Sequence, residues 1–356
     1  MSAAISIKLQ LTRPGFTLAA EMDIADSGIT AVFGPSGAGK TTLLRAIAGL
    51  EHGTGSISVG GELWQDEHVF LPAYQRSAGY VMQESSLFDH LNVRENLEYG
   101  YKRAKAPHRL IEFSAVVELL ALQNLLDRRP ARLSGGEQKR TAIGRALLRS
   151  PSLLLLDEPL ASLDTRHKRE LMPFLERLKS ELNVPILYVS HLPDEVARLA
   201  DNLVLMDRGN VLATGPINEV LTRFDLPVAH DVDAAAVVNT SPGDYDAQND
   251  LTPLQIEAGT LWVTGRLAGE SSARVRILAR DVSLTLEKQS GTSILNIVPV
   301  TVIETSAEGT AGMLVKLDMG GTTILARVTR KSASALEIRP GKSLYAQIKA
   351  VALLGP

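Results

Sequence analysis

Between residues 34 and 42 the chain reads Gly34-Pro35-Ser36-Gly37-Ala38-Gly39-Lys40-Thr41-Thr42. The first eight of these fit G-x-x-x-x-G-K-[ST], a loop whose glycines let backbone N–H groups turn inward around phosphate oxygens. Lys40 would reach the β- and γ-phosphates of a nucleotide, and the Thr41 hydroxyl would ligate Mg²⁺. A second segment, Leu153 to Leu156, is wholly apolar and runs into Asp157 and Glu158. A buried strand that delivers carboxylates to the carboxyl edge of a parallel sheet puts them where ligands sit in such folds. Asp157 is expected to hold the hydration shell of the Mg²⁺, and Glu158 to orient the attacking water or accept its proton. Two acids after a strand would by themselves be a solvated turn. Beside a phosphate loop they read as the second half of a nucleotide-hydrolysing site.

Leu133-Ser134-Gly135-Gly136-Glu137-Gln138 carries a further signal. Ser134 can cap the helix that follows, and Glu137, three residues on, completes a capping box. Ile143, Ala146 and Leu147 give that helix a buried face, and Pro151 marks its end. A well-capped helix needs no ligand. Two adjacent glycines, however, weaken a helix start unless something must approach the backbone closely, and free N–H groups at such a terminus form an anion site.

This segment resembles the signature of the ABC transporter ATPases, and the other segments agree with that family in order. Gln83 is similar to the family's Q-loop glutamine, which contacts Mg²⁺ and water. Ala161-Ser162-Leu163-Asp164 resembles the D-loop, which crosses the dimer seam. His191, closing the run Ile186 to Ser190, resembles the switch histidine that touches the γ-phosphate. The resemblance implies ATP and Mg²⁺ as cofactors, with Glu158, His191 and Gln83 in catalytic roles. It sets residues 34–42, Ser134, Gly135, Gly136 and Asp164 around the nucleotide, and Thr41, Gln83 and Asp157 around the metal. It also implies a homodimer in which each nucleotide is cradled by one subunit's phosphate loop and covered by the other's signature helix. The family usually stacks adenine on an aromatic in an early strand, and Phe16 is the candidate here. Leu87, Phe88 and Leu91 follow Gln83. Either they receive a short helix from a permease, or they pack inside the helical subdomain.

These residues need particular elements to hold them. The phosphate loop requires a strand before it and a helix after it; Ile29 to Phe33 and Thr41 to Ala48 supply both, with Gly49 as the helix stop. Ile5 to Leu11 alternates apolar and polar, as a half-buried strand does. Leu153–Leu156 and Ile186–Val189 are continuous apolar runs, expected for strands covered on both faces. From about 90 to 150 the pattern turns helical, as in Val116-Val117-Glu118-Leu119-Leu120, a helical insertion in an α/β core. The expected fold is thus an α/β P-loop NTPase core with a helical subdomain, spanning 1–228.

The length of 356 residues is more than one ordinary core. A net charge of −3 gives no basic excess for nucleic acid or anionic lipid, so no nucleic-acid partner is expected. The absence of cysteine excludes disulfides, Cys-ligated zinc and thiol catalysis. No apolar run approaches the roughly 18–20 residues that span a bilayer. Met1-Ser-Ala-Ala begins without a basic region and a long apolar segment, so no signal peptide is expected. A cytoplasmic chain, bound to the membrane through a partner, follows.

After Phe224 the character changes. Asn239-Thr-Ser-Pro-Gly-Asp-Tyr-Asp reads as a linker or a long loop, and 229–289 as a connecting segment with the start of a regulatory β region. Short alternating segments follow: Arg274 to Leu278, Ile297 to Ile303, Met313 to Leu317, Thr323 to Val328 and Ser343 to Ile348, punctuated by Gly320-Gly321 and Pro340-Gly341. They predict a small all-β, OB-like barrel over 290–356. Residues 292–296, 320–332 and 344–350 look like a molybdate-binding (Mop/TOBE) domain, although Leu295 stands where that pattern usually carries arginine. Thr292, Ser293, Lys331 and Ser332 are the candidate oxyanion donors. The whole chain then resembles the ATP-binding subunits of molybdate importers. This implies two transmembrane permease subunits, an indirect periplasmic solute-binding protein, and a place on the cytoplasmic face of the bacterial inner membrane. An importer of sulfate, polyamine, sugar or ferric ion is the alternative. A non-transport ABC protein should show two cassettes or a long coiled-coil insertion, and neither is present.

Overall fold

The computed structural model describes residues 5–104, 111–161, 163–267, 272–349 and 351–354. Ser162 of the expected D-loop lies outside the described residues. The chain divides into two units, one ending at Gly215 and the other beginning at Pro216.

In the first unit the alternation of Ile5, Ile7, Leu9 and Leu11 with polar residues makes β1 (Ile5–Arg13) a strand with one buried face. It pairs antiparallel with β2 (Phe16–Ile24). Then come β3 (Ile29–Phe33), α1 (Lys40–Ile47), β4 (Thr54–Val59), β5 (Glu62–Gln65) and β6 (Ala78–Val81). The helical part follows with α2 (Val93–Tyr101), α3 (Phe113–Leu119) and α4 (Gly135–Leu147). β7 (Leu153–Asp157), α5 (Thr165–Glu181), β8 (Ile186–Ser190), α6 (Pro193–Leu199), β9 (Asn202–Asp207) and β10 (Asn210–Pro216) complete it. The strands form one ten-stranded sheet in the order β5-β4-β1-β2-β10-β9-β3-β8-β7-β6. The run from β9 to β6 is parallel.

The apolar runs are explained by this placement. In β7, Leu154 and Leu156 enter a core shared with α2, α3, α4 and α5, while Leu153 and Leu155 enter a second core with α1 and the antiparallel strands. A strand buried on both faces has no polar position to spare until it ends. It ends on Asp157, at the carboxyl edge where the phosphate loop, following β3, also lies. None of the helices among the described residues is long and apolar enough to cross a membrane.

The second unit begins with α7 (Ile217–Leu221), then β11 (Ala235–Pro242), β12 (Leu251–Ile256), β13 (Gly259–Thr264), β14 (Ala273–Leu278) and β15 (Val282–Thr285). It continues with β16 (Asn296–Glu308), β17 (Gly312–Met319), β18 (Thr322–Thr329), α8 (Arg330–Ala335), β19 (Ser343–Ile348) and β20 (Ala352–Leu353). One sheet runs β15-β19-β16-β17-β18, an antiparallel OB-like element whose strand β15 precedes the range 290–356. Another runs β13-β12-β11-β14-β20.

Three sequence-based expectations change here. Residues 229–289, expected as a connecting segment with the start of a regulatory β region, carry strands β11 to β15. The connecting part gives way to packed structure: Val238, Leu254, Leu261 and Val275 share one core with Val300, Leu317 and Ala346. Residues 239–242 are not loop: Asn239 pairs with Arg274 and Thr240 with Ala273, leaving Pro242 at the strand end where its missing N–H does least harm. The division at Gly215/Pro216 also precedes the expected boundary at 228. Asn218 explains this, since its side chain accepts from Val237 N (2.9 Å) and donates to Thr323 O (3.0 Å), tying α7 into the second unit.

Candidate functional site

The loop after β3 turns sharply into α1, and two glycines make the turn possible. A side chain on Gly34 would put Cβ 2.1 Å from the Met206 carbonyl oxygen, and one on Gly39 would put it 2.7 Å from Phe16 Cζ, where φ is +95°. Gly39 is the N-cap of α1 and offers no side-chain cap, which leaves first-turn N–H groups for an anion. Lys40 is buried, and its Nζ donates to Gly34 O (2.8 Å) and Pro35 O (2.9 Å). Burial pushes its ammonium below the ordinary lysine range, against the pull of Glu158 and Asp157. Pro35, Ser36, Gly37 and Ala38 complete the loop, and Thr42 lies in the first turn of α1 beside Thr41.

Thr41 and Asp157 meet directly: Thr41 Oγ1 donates to Asp157 Oδ1 at 3.0 Å. The other oxygen, Oδ2, accepts from Tyr80 Oη at 2.9 Å. Burial raises the Asp157 carboxyl, and the bonds from Tyr80 and Thr41 oppose the rise. A hydroxyl and one carboxylate are the donor set of a cation that keeps most of its waters, as Mg²⁺ does. No cluster of three or more acidic or imidazole side chains exists among the described residues to hold a metal by itself.

Glu158 follows with φ of +43°, which turns its side chain away from the strand line. Its Oε1 lies 3.1 Å from His191 Nδ1. Beneath His191 is a group that the sequence reading missed. Buried Glu195 accepts from Ser190 Oγ (2.8 Å) and Tyr188 Oη (3.0 Å) through Oε2, and from Lys168 Nζ (3.2 Å) through Oε1. It fixes the end of β8, from which His191 projects. Tyr80 was missed for the same reason: neither has a motif, and each is found only through its partner.

The signature forms a separate cluster. Ser134 Oγ accepts from Glu137 N (3.3 Å), and Glu137 Oε2 accepts from Ser134 N (2.7 Å), so the capping box at α4 is complete. A Cβ on Gly135 would meet Leu163 at 3.0 Å, and one on Gly136 would meet His167 at 3.7 Å. Asp164 caps α5 by accepting from His167 N (2.9 Å). Signature and D-loop therefore adjoin. Ala161 N donates to Glu158 O (3.2 Å), so the D-loop follows directly on the phosphate cluster. Among the described residues, however, no side-chain hydrogen bond or ion pair joins Ser134, Gly135, Gly136 or Asp164 to Lys40, Thr41, Asp157, Glu158 or His191.

Gln83 is exposed, and its side chain makes no hydrogen bond among the described residues. Its backbone is held instead, since buried Lys139 of α4 donates to Met82 O (3.1 Å) and Gln83 O. Phe16 packs on the phosphate loop at Gly39, close to Leu18. Leu87 packs on the helical core, and Phe88 lies against Tyr99 and under Arg145. Asn96 closes this loop with bonds to Phe88 and Leu91, so its apolar residues belong to the helical subdomain.

In the second unit, Thr292 and Ser293 precede Asn296, which pairs with Ile348 at the start of β16. Lys331 and Ser332 follow Thr329, whose partner Gly312 faces Glu308 at the other end of β16. The two pairs of candidate oxyanion donors thus lie toward opposite ends of β16, a strand of 13 residues.

The ABC transporter family profile matches residues 19–161, and the TOBE domain profile matches residues 292–354. Along almost its whole length the chain is similar to curated proteins. It is 52% identical to the Molybdenum import ATP-binding protein ModC of Pseudomonas syringae pv. tomato, covering 99% of this chain and 100% of that protein. It is 50% identical to ModC of Aromatoleum aromaticum, over 99% and 94% of the two chains. Among solved structures, cbiO1 from Clostridium perfringens, part of the ABC transporter complex cbiONQ, is 26% identical with a TM-score of 0.53. That likeness covers 63% of this chain and 92% of cbiO1. The chain belongs to the ABC transporter ATP-binding family, among its molybdenum import ATP-binding proteins.

Proposed function

We propose that this chain hydrolyses ATP to power molybdate import, working as a homodimer on two membrane permease subunits at the cytoplasmic face of the inner membrane. One observation carries the reading. The phosphate cluster (Lys40, Thr41, Asp157, Glu158, His191) and the signature cluster (Ser134, Gly135, Gly136, Asp164) are each well built, yet among the described residues no side-chain hydrogen bond or ion pair joins one to the other. A second chain, turned head to tail, supplies the missing half of each site.

In this reading Lys40 and the N–H groups of the loop hold the β- and γ-phosphates. Thr41, Asp157 and Gln83 are the residues that would hold Mg²⁺, which when bound neutralises charge developing on the phosphates. Tyr80 keeps Asp157 oriented. Its own phenol is pushed up, first by burial and then by the Asp157 charge, so it remains a donor. Glu158 takes a proton from the attacking water or aligns it, and His191, 3.1 Å away, marks the γ-phosphate side. The partner's signature helix, with its free N–H groups, closes over the nucleotide. Binding thus favours the closed dimer, and hydrolysis favours its opening. The name of the relatives supports molybdate as cargo, with a periplasmic binding protein acting indirectly through the permease.

The test combines cargo and chemistry. Cells lacking their own copy should regain uptake of radiolabelled molybdate with this chain, and sulfate should not compete. Glu158→Gln should abolish uptake and lower ATP hydrolysis by roughly 10²–10⁴-fold, the range for a general base. With ATP and Mg²⁺ it should elute at a doubled mass. Wild-type hydrolysis by Glu158→Gln would remove that residue from its role. Uptake of sulfate in preference to molybdate would overturn the cargo.

A further inference from the structure

At the amino ends of β6 and β7, on the edge of the sheet opposite the nucleotide loops, lies a cavity of about 460 Å³. We propose that this cavity is a second anion site, in which Arg103 and Arg149 receive the phosphate group of a free anion or a phosphomonoester above the buried charge of Arg76.

Arg76 is fully buried. Its Nε donates to Leu71 O (2.7 Å), and its Nη1 to Ala46 O (2.9 Å) and Ile47 O (2.7 Å), which closes the carboxyl end of α1. Its Nη2 is buried with no partner among the described residues. No carboxylate pairs with Arg76 among those residues; its charge is answered by the three carbonyls and by the rings of Trp64 and Phe70, at 5.8 and 5.1 Å, which leaves Nη2 as its open donor.

Arg149 is half-buried, and its guanidinium has no hydrogen-bond acceptor or carboxylate partner among the described residues. Burial, and then the like charge of Arg103, pull its ionised form down. Arg103 is fixed over the Tyr99 ring at 3.4 Å and donates to Tyr99 O (3.2 Å), which leaves the rest of its guanidinium fork free. Thus three guanidiniums line one cavity, and among the described residues no carboxylate is bonded to any of them. Glu62 is the one carboxylate on the described lining, and its Oε2 is already engaged by Trp64 Nε1 (2.9 Å). Ser77 and Ser152 also line it, but Ser152 Oγ already donates to Ser77 O (3.0 Å), and Ser77 Oγ accepts from Ser152 N (3.3 Å).

A planar fork with parallel N–H groups fits the oxygens of a tetrahedral oxyanion, and two forks hold it from two sides. The cavity is larger than an inorganic phosphate, so it has room for the body of a phosphomonoester. The segment is also mechanically placed. Arg76 joins the cavity to the end of α1, whose other end is the phosphate loop.

The test uses the full chain with its nucleotide site saturated by a non-hydrolysable ATP analogue and Mg²⁺, so that added anion cannot enter the phosphate loop. Inorganic phosphate is titrated at constant ionic strength by calorimetry and by thermal unfolding. One saturable event is expected. Arg149→Ala and Arg103→Ala should each weaken it by roughly tenfold or more, as loss of a charge-assisted hydrogen bond does. Lys331→Ala in the second unit should leave it unchanged. Both arginine variants should retain ATP hydrolysis, which shows that they fold. Ribose 5-phosphate binding more tightly than phosphate would assign the cavity to a phosphomonoester; equal binding would assign it to the free anion. Either agrees with the proposal. No saturable event, or one that survives both arginine substitutions, would overturn it.

Discussion

Lys139 carries a charge into the interior of the first unit, and its titration can be used to weigh that choice. It lies on the inward face of α4, 2% exposed, with its ammonium on the carbonyls of Met82 and Gln83. Burial lowers it from the ordinary value of 10.5 to about 8, against the pull of Asp157 and Glu84. Between those two values the unfolded chain holds the proton and the folded chain releases it. Stability therefore rises with pH through this window, at up to about 1.4 kcal/mol per unit. The full interval corresponds to about 3 kcal/mol, which the charged Lys139 costs near neutrality. Lys139→Met keeps the apolar stem and removes the titration. At pH 7.5 two effects oppose each other: relief from the buried charge, and about 1–3 kcal/mol for each carbonyl left without its donor. The difference between the proteins at one pH is thus ambiguous, but its change with pH is not. From pH 7.5 to 9.5 wild type should gain about 2 kcal/mol relative to Lys139→Met. Urea unfolding followed by Trp64, buried in the first unit, measures this in a Trp262→Phe background that silences the second unit. Parallel stability curves over those two pH units would refute the assigned burial of charge.

Ser134→Arg should abolish hydrolysis while leaving nucleotide binding by the single subunit within about twofold if, as proposed, Ser134 acts on the partner's nucleotide. Mixed with Lys40→Ala chains, it should recover part of the activity through one complete site per mixed dimer; no recovery would count against head-to-tail sharing. Gly39→Ala should lower ATP affinity by roughly tenfold or more, because its Cβ at φ +95° would collide with Phe16; filter binding decides. Lys331→Ala with Ser332→Ala should weaken molybdate binding to the full chain, measured by calorimetry, and the bound species should contain two chains, since the four donors do not converge in one. Wild-type heat in the double variant would remove these residues from any oxyanion role.

The motifs were legible because they are local. A phosphate loop, a capping box and a two-faced strand each occupy a few consecutive residues, and each has a backbone requirement that the residue types announce. Gly39 at positive φ, Ser134 with Glu137, and the uninterrupted leucines of β7 were all of this kind. The missed residues act across long separations. Tyr80 reaches Asp157 from 77 residues away, and Lys139 reaches Met82 from 57. In the sequence, a tyrosine in a strand or a lysine on a helix is indistinguishable from a core or surface residue; only the neighbouring strand or helix gives it a partner.

The same distinction explains the second unit. β16 to β19 alternate cleanly between glycine turns, so their strands could be read one by one. β11 to β13 contain Pro242, Pro253 and the polar run 239–241, which locally spell a loop. They form strands because their buried residues, Val238, Leu254 and Val263, find a core whose other half comes from residues about 40 to 110 positions later. Tertiary packing overrode the local signal there. It had a further consequence for the candidate oxyanion donors. Thr292 with Ser293 and Lys331 with Ser332 are plausible as chemistry, but register is a property of pairing, and pairing sends them to opposite ends of β16. A tetrahedral anion needs its donors at one point. With one chain unable to provide that point, a site built from these residues requires the start of β16 in one subunit to meet the end of β16 in another. Anion binding and association of the second units would then be one equilibrium, and neither would be complete in a monomer.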